Sequence, residues 1–228
     1  MVREGHTIAR AAMLMLVISF AAFFAAAAAD RPYYYLNPKQ LDLAALLPPP
    51  PDFNSAAERS DEEQVAAAIA ARSPKQLYHA EEETKRTVFF FAPSIGPNFT
   101  AERLPVTAHF FACVGSDVEQ LIDSAKLAWD RPRPNGVAGR RGSYPSGHAA
   151  FAASTSIILG ELLPSKRDAI FAQARVFAEN RILLGLHYPS DVASGWTAGT
   201  LAAYVMMRNP VFQRDFAAVR AELRKAKF

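Results

Sequence analysis

From Ser55 to the C-terminus the chain runs as alanine- and leucine-rich stretches cut by prolines, and nowhere do apolar and polar residues alternate between turn pairs. A half-buried strand needs that period of two, so strands are not supported and an all-α fold is expected. The charged, alanine-rich stretch from Ser55 to Ala71 favours helix by propensity, and Pro74 interrupts it. Further helices are predicted from Lys75 to about Phe91, over Leu104 to Trp129 as one or two helices, and over Ala149 to Leu163, Ser165 to Leu184 and Ser190 to Met207. Pro93 to Pro97, with Gly96 between them, reads as a breaker. At the end Phe212, Phe216, Val219 and Leu223 recur at spacings of four, three and four, a helical stripe. Ahead of these segments, Tyr33 to Tyr35 and Pro48 to Pro51 predict an irregular arm wrapped over the surface of a single-domain helical bundle.

The first 29 residues follow another logic. Arg3 and Arg10 precede an apolar stretch, Ala11 to Phe24, and Ala25 to Ala29 stand before Asp30, the layout of a secretory signal with an A-x-A-type cleavage site. Removal of residues 1–29 would leave 30–228 as one periplasmic or secreted domain, without stable membrane association. Left in place, the same apolar run is long enough to act as a membrane anchor; no later stretch approaches the roughly 20 apolar residues of a bilayer span. Without Arg3, Arg10 and Glu4 the 25 basic and 22 acidic residues become 23 and 21, a balance that argues against a general nucleic-acid binder. Cys113 is the single cysteine, so no internal disulfide forms, and its neighbours Phe110, Phe111, Ala112 and Val114 suit burial rather than thiolate chemistry.

Three segments carry chemistry. In Tyr144-Pro145-Ser146-Gly147-His148 a serine and a glycine lie where the first amides of an alanine-rich helix point outward, and such a terminus binds phosphate. In Arg181 to Asp191, Pro189 fits the first turn of a new helix, with His187 before it and Asp191 inside it; the carboxylate is placed to hold one ring nitrogen and leave the other to attack. In Lys126 to Pro134, seven residues separate Lys126 from Arg133, close to two helical turns, so both cations emerge on one side and suit the charge of a transferring phosphoryl group. Each has a plainer reading when taken alone: a helix cap at Ser146, a structural His–Asp pair, a solvated basic helix end. Arg131 is given a structural or rim role, and His79 and His109 are read as helix-surface or packing residues.

Together the segments resemble the phosphatidic-acid-phosphatase type 2 superfamily, with its pattern K-x6-RP, PSGH and SR-x5-H-x3-D: Lys126 with Arg133-Pro134, then Pro145 to His148, then Arg181, His187 and Asp191. Within it the chain is most similar to the bacterial class A non-specific acid phosphatases, a likeness that takes in Tyr34-Tyr35-Leu36, Leu46 to Pro51 and Gly142-Ser143-Tyr144 and covers nearly the whole chain after residue 29. The resemblance implies an exported, all-helical phosphatase of broad specificity for small phosphate monoesters, with phosphotransferase side activity open. It implies His187 as nucleophile oriented by Asp191, His148 as acid and then base, and Lys126, Arg133, Ser146, Gly147 and Arg181 as the phosphate cradle. It implies no cofactor. With no carboxylate–histidine cluster at metal-ligand spacing in the sequence, turnover is expected to survive chelator. Two histidines with opposite protonation needs predict a bell-shaped rate favouring acid pH.

The chain departs from the pattern in three places. Asn180 replaces the serine before Arg181, only ten residues separate the first two motifs, and Ala149 with His187-Tyr188-Pro189-Ser190-Asp191 looks like the membrane lipid-phosphatase branch. A membrane-associated lipid or polyprenyl phosphate phosphatase is therefore the main alternative. A vanadium-dependent haloperoxidase, which uses the same constellation to hold vanadate, is the other enzymatic one, and a phosphate-binding module without turnover is the third. The 16 phenylalanines suit a pocket lining or a subunit interface, which leaves a homo-oligomer open.

Overall fold

A computed structural model describes residues 33–136 and 142–228; the expected secretory signal lies outside them. The described chain is helical throughout: α1 (Leu43–Leu46), α2 (Ala56–Ala71), α3 (Pro74–Glu82), α4 (Ala92–Ile95), α5 (Pro105–Trp129), α6 (Gly147–Leu162), α7 (Arg167–Leu183), α8 (Pro189–Met206) and α9 (Pro210–Lys225), with short 3₁₀ turns at Pro38–Gln40, Val88–Phe91 and Pro164–Lys166. The prolines that end one segment begin the next. Pro74, Pro105, Pro189 and Pro210 each occupy the first turn of a helix, where the missing N–H costs nothing. Ser55, Ser73 and Asn209 cap the helices that follow them.

Two boundaries differ from expectation. The helix predicted from Lys75 to Phe91 stops at Glu82, because Glu81, Glu82 and Glu83 bring three carboxylates to the negative end of the helix and Thr87 caps a new 3₁₀ turn through Phe89 N. The resulting turn, residues 83–87, borders the site described below. Within the expected breaker, Ala92–Ile95 closes one helical turn before Gly96, at φ 150°, ends it.

Helix α6 is the hub, packed against α5, α7 and α8. It is apolar or small on every side: Ala149, Ala150, Ala152, Ala153, Ile158 and Leu159 are fully enclosed. Gly195 and Gly199 of α8 lie against its first two turns so closely that a Cβ on either would fall 2.3 Å from Ser146 O or 2.1 Å from Ala150 O. This crossing sets the start of α8 beside the start of α6.

The N-terminal arm does more than cover the surface. Tyr35, Leu36, Leu41, Leu43 and Leu47 enter the core, and the buried Asp117 carboxylate of α5 accepts the amides of Tyr34 (3.0 Å), Tyr35 (2.6 Å) and Leu36 (3.0 Å). Burial pushes this carboxyl up, and the three amides offset part of the push. Much of the aromatic surplus is internal too: Tyr35 packs on Phe110 and Phe212, and Phe216 packs on the same two rings, at separations of 5.1 to 6.4 Å. Among the described residues, no helix is long and apolar enough to cross a membrane.

Candidate active site

At the start of α8, Tyr188 is extended and Pro189 opens the helix. Asp191, in its first turn, reaches back to accept the Tyr188 amide at 2.9 Å. The same oxygen lies 3.4 Å from Nδ1 of the preceding His187, within ion-pair range and longer than a hydrogen bond. On the other side of the ring, Arg133 Nη1 approaches Nε2 at 3.2 Å and also donates to Leu186 O at 2.8 Å. A guanidinium only donates, so Nε2 carries the lone pair and Nδ1 the hydrogen that faces Asp191. Sequence spacing alone leads to this tautomer through the His–Asp offset; the arginine contact reaches it independently.

Arg133 does not reach Nε2 from a helix. Helix α5 ends at Trp129, Asp130 takes a left-handed conformation at φ 37°, and the prolines at 132 and 134 carry the chain away from the axis. The two-turn argument for Lys126 and Arg133 therefore fails in its geometry, although both cations do act on His187. Lys126 is buried and donates to the carbonyls of Gly142 and Ser143 (3.3 Å to the latter), tying the segment before the second motif to α5.

Arg131 has a structural place and is not at the rim. It is 5% exposed, donates to Asp191 Oδ1 at 2.8 Å and Asp61 Oδ2 at 2.9 Å, and lies over the Tyr188 ring. Asp61, from α2, also accepts the Ser190 amide. This Asp61–Arg131–Asp191 chain fixes the back of the site. Nothing in the sequence marks Asp61, one acidic residue on a charged helix, as its anchor.

The phosphate cradle expected from the sequence falls at the start of α6. Ser146 is fully buried as the N-cap, its hydroxyl accepts the Ala149 amide, and its own amide donates to Asp191 O at 2.9 Å. Gly147 and His148 follow, with the first amides of the helix. His148 Nε2 lies 3.2 Å from Thr84 O; a carbonyl only accepts, so this nitrogen carries hydrogen. Arg181, 1% exposed, donates to Ala80 O at 2.8 Å, while its Nε finds no hydrogen-bond partner and remains a buried donor. Asn180 donates to Glu83 Oε2 at 2.5 Å. Thr84, Glu83 and Ala80 all belong to the end of α3 and the turn after it, which thereby positions His148, Asn180 and Arg181 together.

The electrostatics suit an anion. Burial takes His187 down to about 4 against the pull of Asp191, with Lys126 and Arg133 adding to the depression. Burial and then Arg181 take His148 to about 3, helped by Arg86 and His187. Burial and Arg133 bring Lys126 to about 8, and burial brings Arg181 to about 10. Burial alone would raise Asp191; His187, the Tyr188 amide and Arg131 hold it below the usual carboxylate range. Both imidazoles are thus neutral near pH 7, amid cations that a bound dianion would neutralise. Among the described residues no group of three or more His, Cys, Asp and Glu is arranged to hold a metal ion.

The sequence model of the PAP2 superfamily matches residues 97–215, more than half of the chain. The chain belongs to the PAP2 superfamily. All three motifs, from Lys126 to Asp191, fall inside that match. Among curated relatives, an acid phosphatase of Zymomonas mobilis is 30% identical over 151 residues, 60% of this chain and 57% of that protein. A non-specific acid phosphatase of Salmonella typhimurium is 32% identical over 93 residues, 41% of this chain and 37% of that protein. The chain thus spans between about a third and three fifths of these relatives' lengths, and the alignments are narrower than the motif likeness suggests. Among solved structures, a transmembrane PAP2 type phosphatidylglycerolphosphate phosphatase from Bacillus subtilis superposes with a TM-score of 0.48 at 21% identity, covering 77% of this chain and 94% of that one.

Proposed function

We propose that this protein is an exported acid phosphatase that hydrolyses small phosphate monoesters through a phosphohistidine intermediate. One observation carries the reading: His187 presents the Nε2 lone pair beside Arg133, with Asp191 behind Nδ1 and the start of α6 alongside. Nε2 attacks phosphorus in line, the N–P bond forms as the P–O ester bond breaks, and Asp191 stabilises the imidazolium. Lys126, Arg133, Arg181, the Ser146 hydroxyl and the Gly147 amide take the phosphoryl oxygens. His148, its N–H held on the Thr84 carbonyl until the ester binds, gains a proton as the dianion offsets the surrounding cations and gives it to the departing alkoxide. It then takes a proton from water as that water attacks phosphorus, which breaks the N–P bond and releases phosphate. The names of the Zymomonas and Salmonella relatives support this class of substrate.

The test is p-nitrophenyl phosphate turnover by the wild type and His187→Ala, with labelled protein trapped in alkaline detergent, where phosphohistidine survives. The reading expects phosphorylated wild type and an inactive, unlabelled variant. Label on another residue, or full activity in His187→Ala, refutes it.

A further inference from the structure

The turn after α3 carries an arginine outside all three motifs. Arg86 Nη1 lies 3.3 Å from the position a Cβ on Gly147 would take, so its guanidinium rests against the first residue of α6. A cation there lies beside the positive end of a helix, a placement that is unfavourable unless an anion is shared. It also adds to the positive field on His148 and Lys126. What offsets this is Glu119 of α5, two turns before Lys126, whose Oε1 accepts from Arg86 Nη2 at 2.6 Å. Both side chains are 30% exposed, so water and salt screen the pair. The pair forms one wall of a cleft of about 470 Å³ that also includes Thr84, Lys85, Gly115 and Ser116. Arg86 thus has one face on the cradle and the other on a carboxylate partly exposed to solvent.

We propose that Arg86 is a further phosphate-binding residue, held by Glu119 until a phosphate monoester enters the cradle and then turned onto a phosphoryl oxygen. The proposal rests on the phosphohydrolase reading above. The planar guanidinium grips a phosphate through two parallel N–H groups, which a lysine ammonium does not reproduce. Glu119 competes for the same donors, so removing its charge frees Arg86. Arginine and glutamate variants should therefore act in opposite directions.

The experiment uses the full chain and inorganic phosphate as probe, measured as a competitive inhibitor of p-nitrophenyl phosphate hydrolysis and by direct calorimetric titration. Arg86→Ala is expected to raise the phosphate inhibition constant about tenfold or more, with KM rising in parallel and kcat falling less. Arg86→Lys recovers only part of the loss, and Glu119→Gln lowers the inhibition constant below that of the wild type. If Arg86 is only half of a surface ion pair, Arg86→Ala loses a small amount of thermal stability and both Arg86→Ala and Glu119→Gln leave the inhibition constant within twofold; that result overturns the proposal. Should Arg86→Ala fail to fold, Arg86→Lys and Glu119→Gln still decide it, since equal inhibition constants in both overturn it. A wild type that neither hydrolyses the ester nor binds phosphate overturns the phosphohydrolase reading and this proposal with it. A wild type that does both, with Arg86 variants unchanged, overturns this proposal alone.

Discussion

Replacing Gly195 by alanine puts a methyl carbon 2.3 Å from the Ser146 carbonyl oxygen and 3.0 Å from Ala149 Cβ. Carbon and oxygen need about 3.3 Å, so α8 and the start of α6 must part by roughly 1 Å, or the Ser146 carbonyl must turn away from the Ala150 amide it holds at 3.0 Å. Both partners are backbone within well-packed helices, which places the strain toward the upper end of the 1–3 kcal/mol seen for overpacking. Against this stands the gain of about 1 kcal/mol from replacing glycine by alanine inside a helix. The strain wins, and a net loss of about 1–2 kcal/mol is expected, a fall in Tm of roughly 2–8 °C for a domain of this size. Catalysis suffers more. The Ser146 amide is bonded to Asp191 O across this crossing, so the same displacement separates the cradle from the His187–Asp191 pair; 1 Å there costs about 100-fold in kcat. Circular dichroism melts and p-nitrophenyl phosphate kinetics measure both effects. Gly115→Ala is the control: its Cβ would meet only Phe151 ring carbons at 3.9 Å or beyond, so the same chemical change on α5 should be neutral to stabilising. A Gly195→Ala protein as stable as the wild type, with kcat within twofold, would refute the close-crossing argument.

Two further outcomes are expected. Asp61→Ala leaves Arg131 buried with only Asp191 as carboxylate partner, and the loss of one side of a buried ion network should cost about 3 kcal/mol in urea unfolding and lower kcat, whereas an unchanged midpoint would remove Asp61 from the site's support. For acid stability the sign follows from His187: its ordinary value of 6.5 falls to about 4 on folding, so the unfolded chain binds the proton first, stability is complete above about pH 6.5, and it is lost as pH falls towards 4. Between pH 7.5 and 4.5 this group alone accounts for roughly 2–3 kcal/mol, so His187→Gln should lose correspondingly less stability over that interval, and an equal loss in both proteins would contradict a neutral buried imidazole.

The helical class was legible because alternation is missing and because proline and cap residues punctuate the chain, and Pro189 with Asp191 places the carboxylate correctly from local rules alone. Local rules fail where the deciding contact is long-range. Lys75 to Phe91 reads as one helix by composition, yet it breaks at Glu82, and that break supplies the turn whose Thr84 carbonyl meets His148, whose Glu83 meets Asn180, and whose Arg86 meets Gly147. The departure at Asn180 acquires its physical meaning only there: the amide spans to Glu83, so serine's shorter side chain at 180 would leave Glu83 beyond direct reach. The motif cations and histidines are thus readable as a set, but several of the contacts that hold them in place come from α2 and from the turn after α3, segments with no motif. The same division covers Arg131, for which the sequence left a structural and a rim role open: its anchor Asp61, 70 residues earlier, decides between them. A carboxylate chosen by burial leaves no mark in sequence spacing.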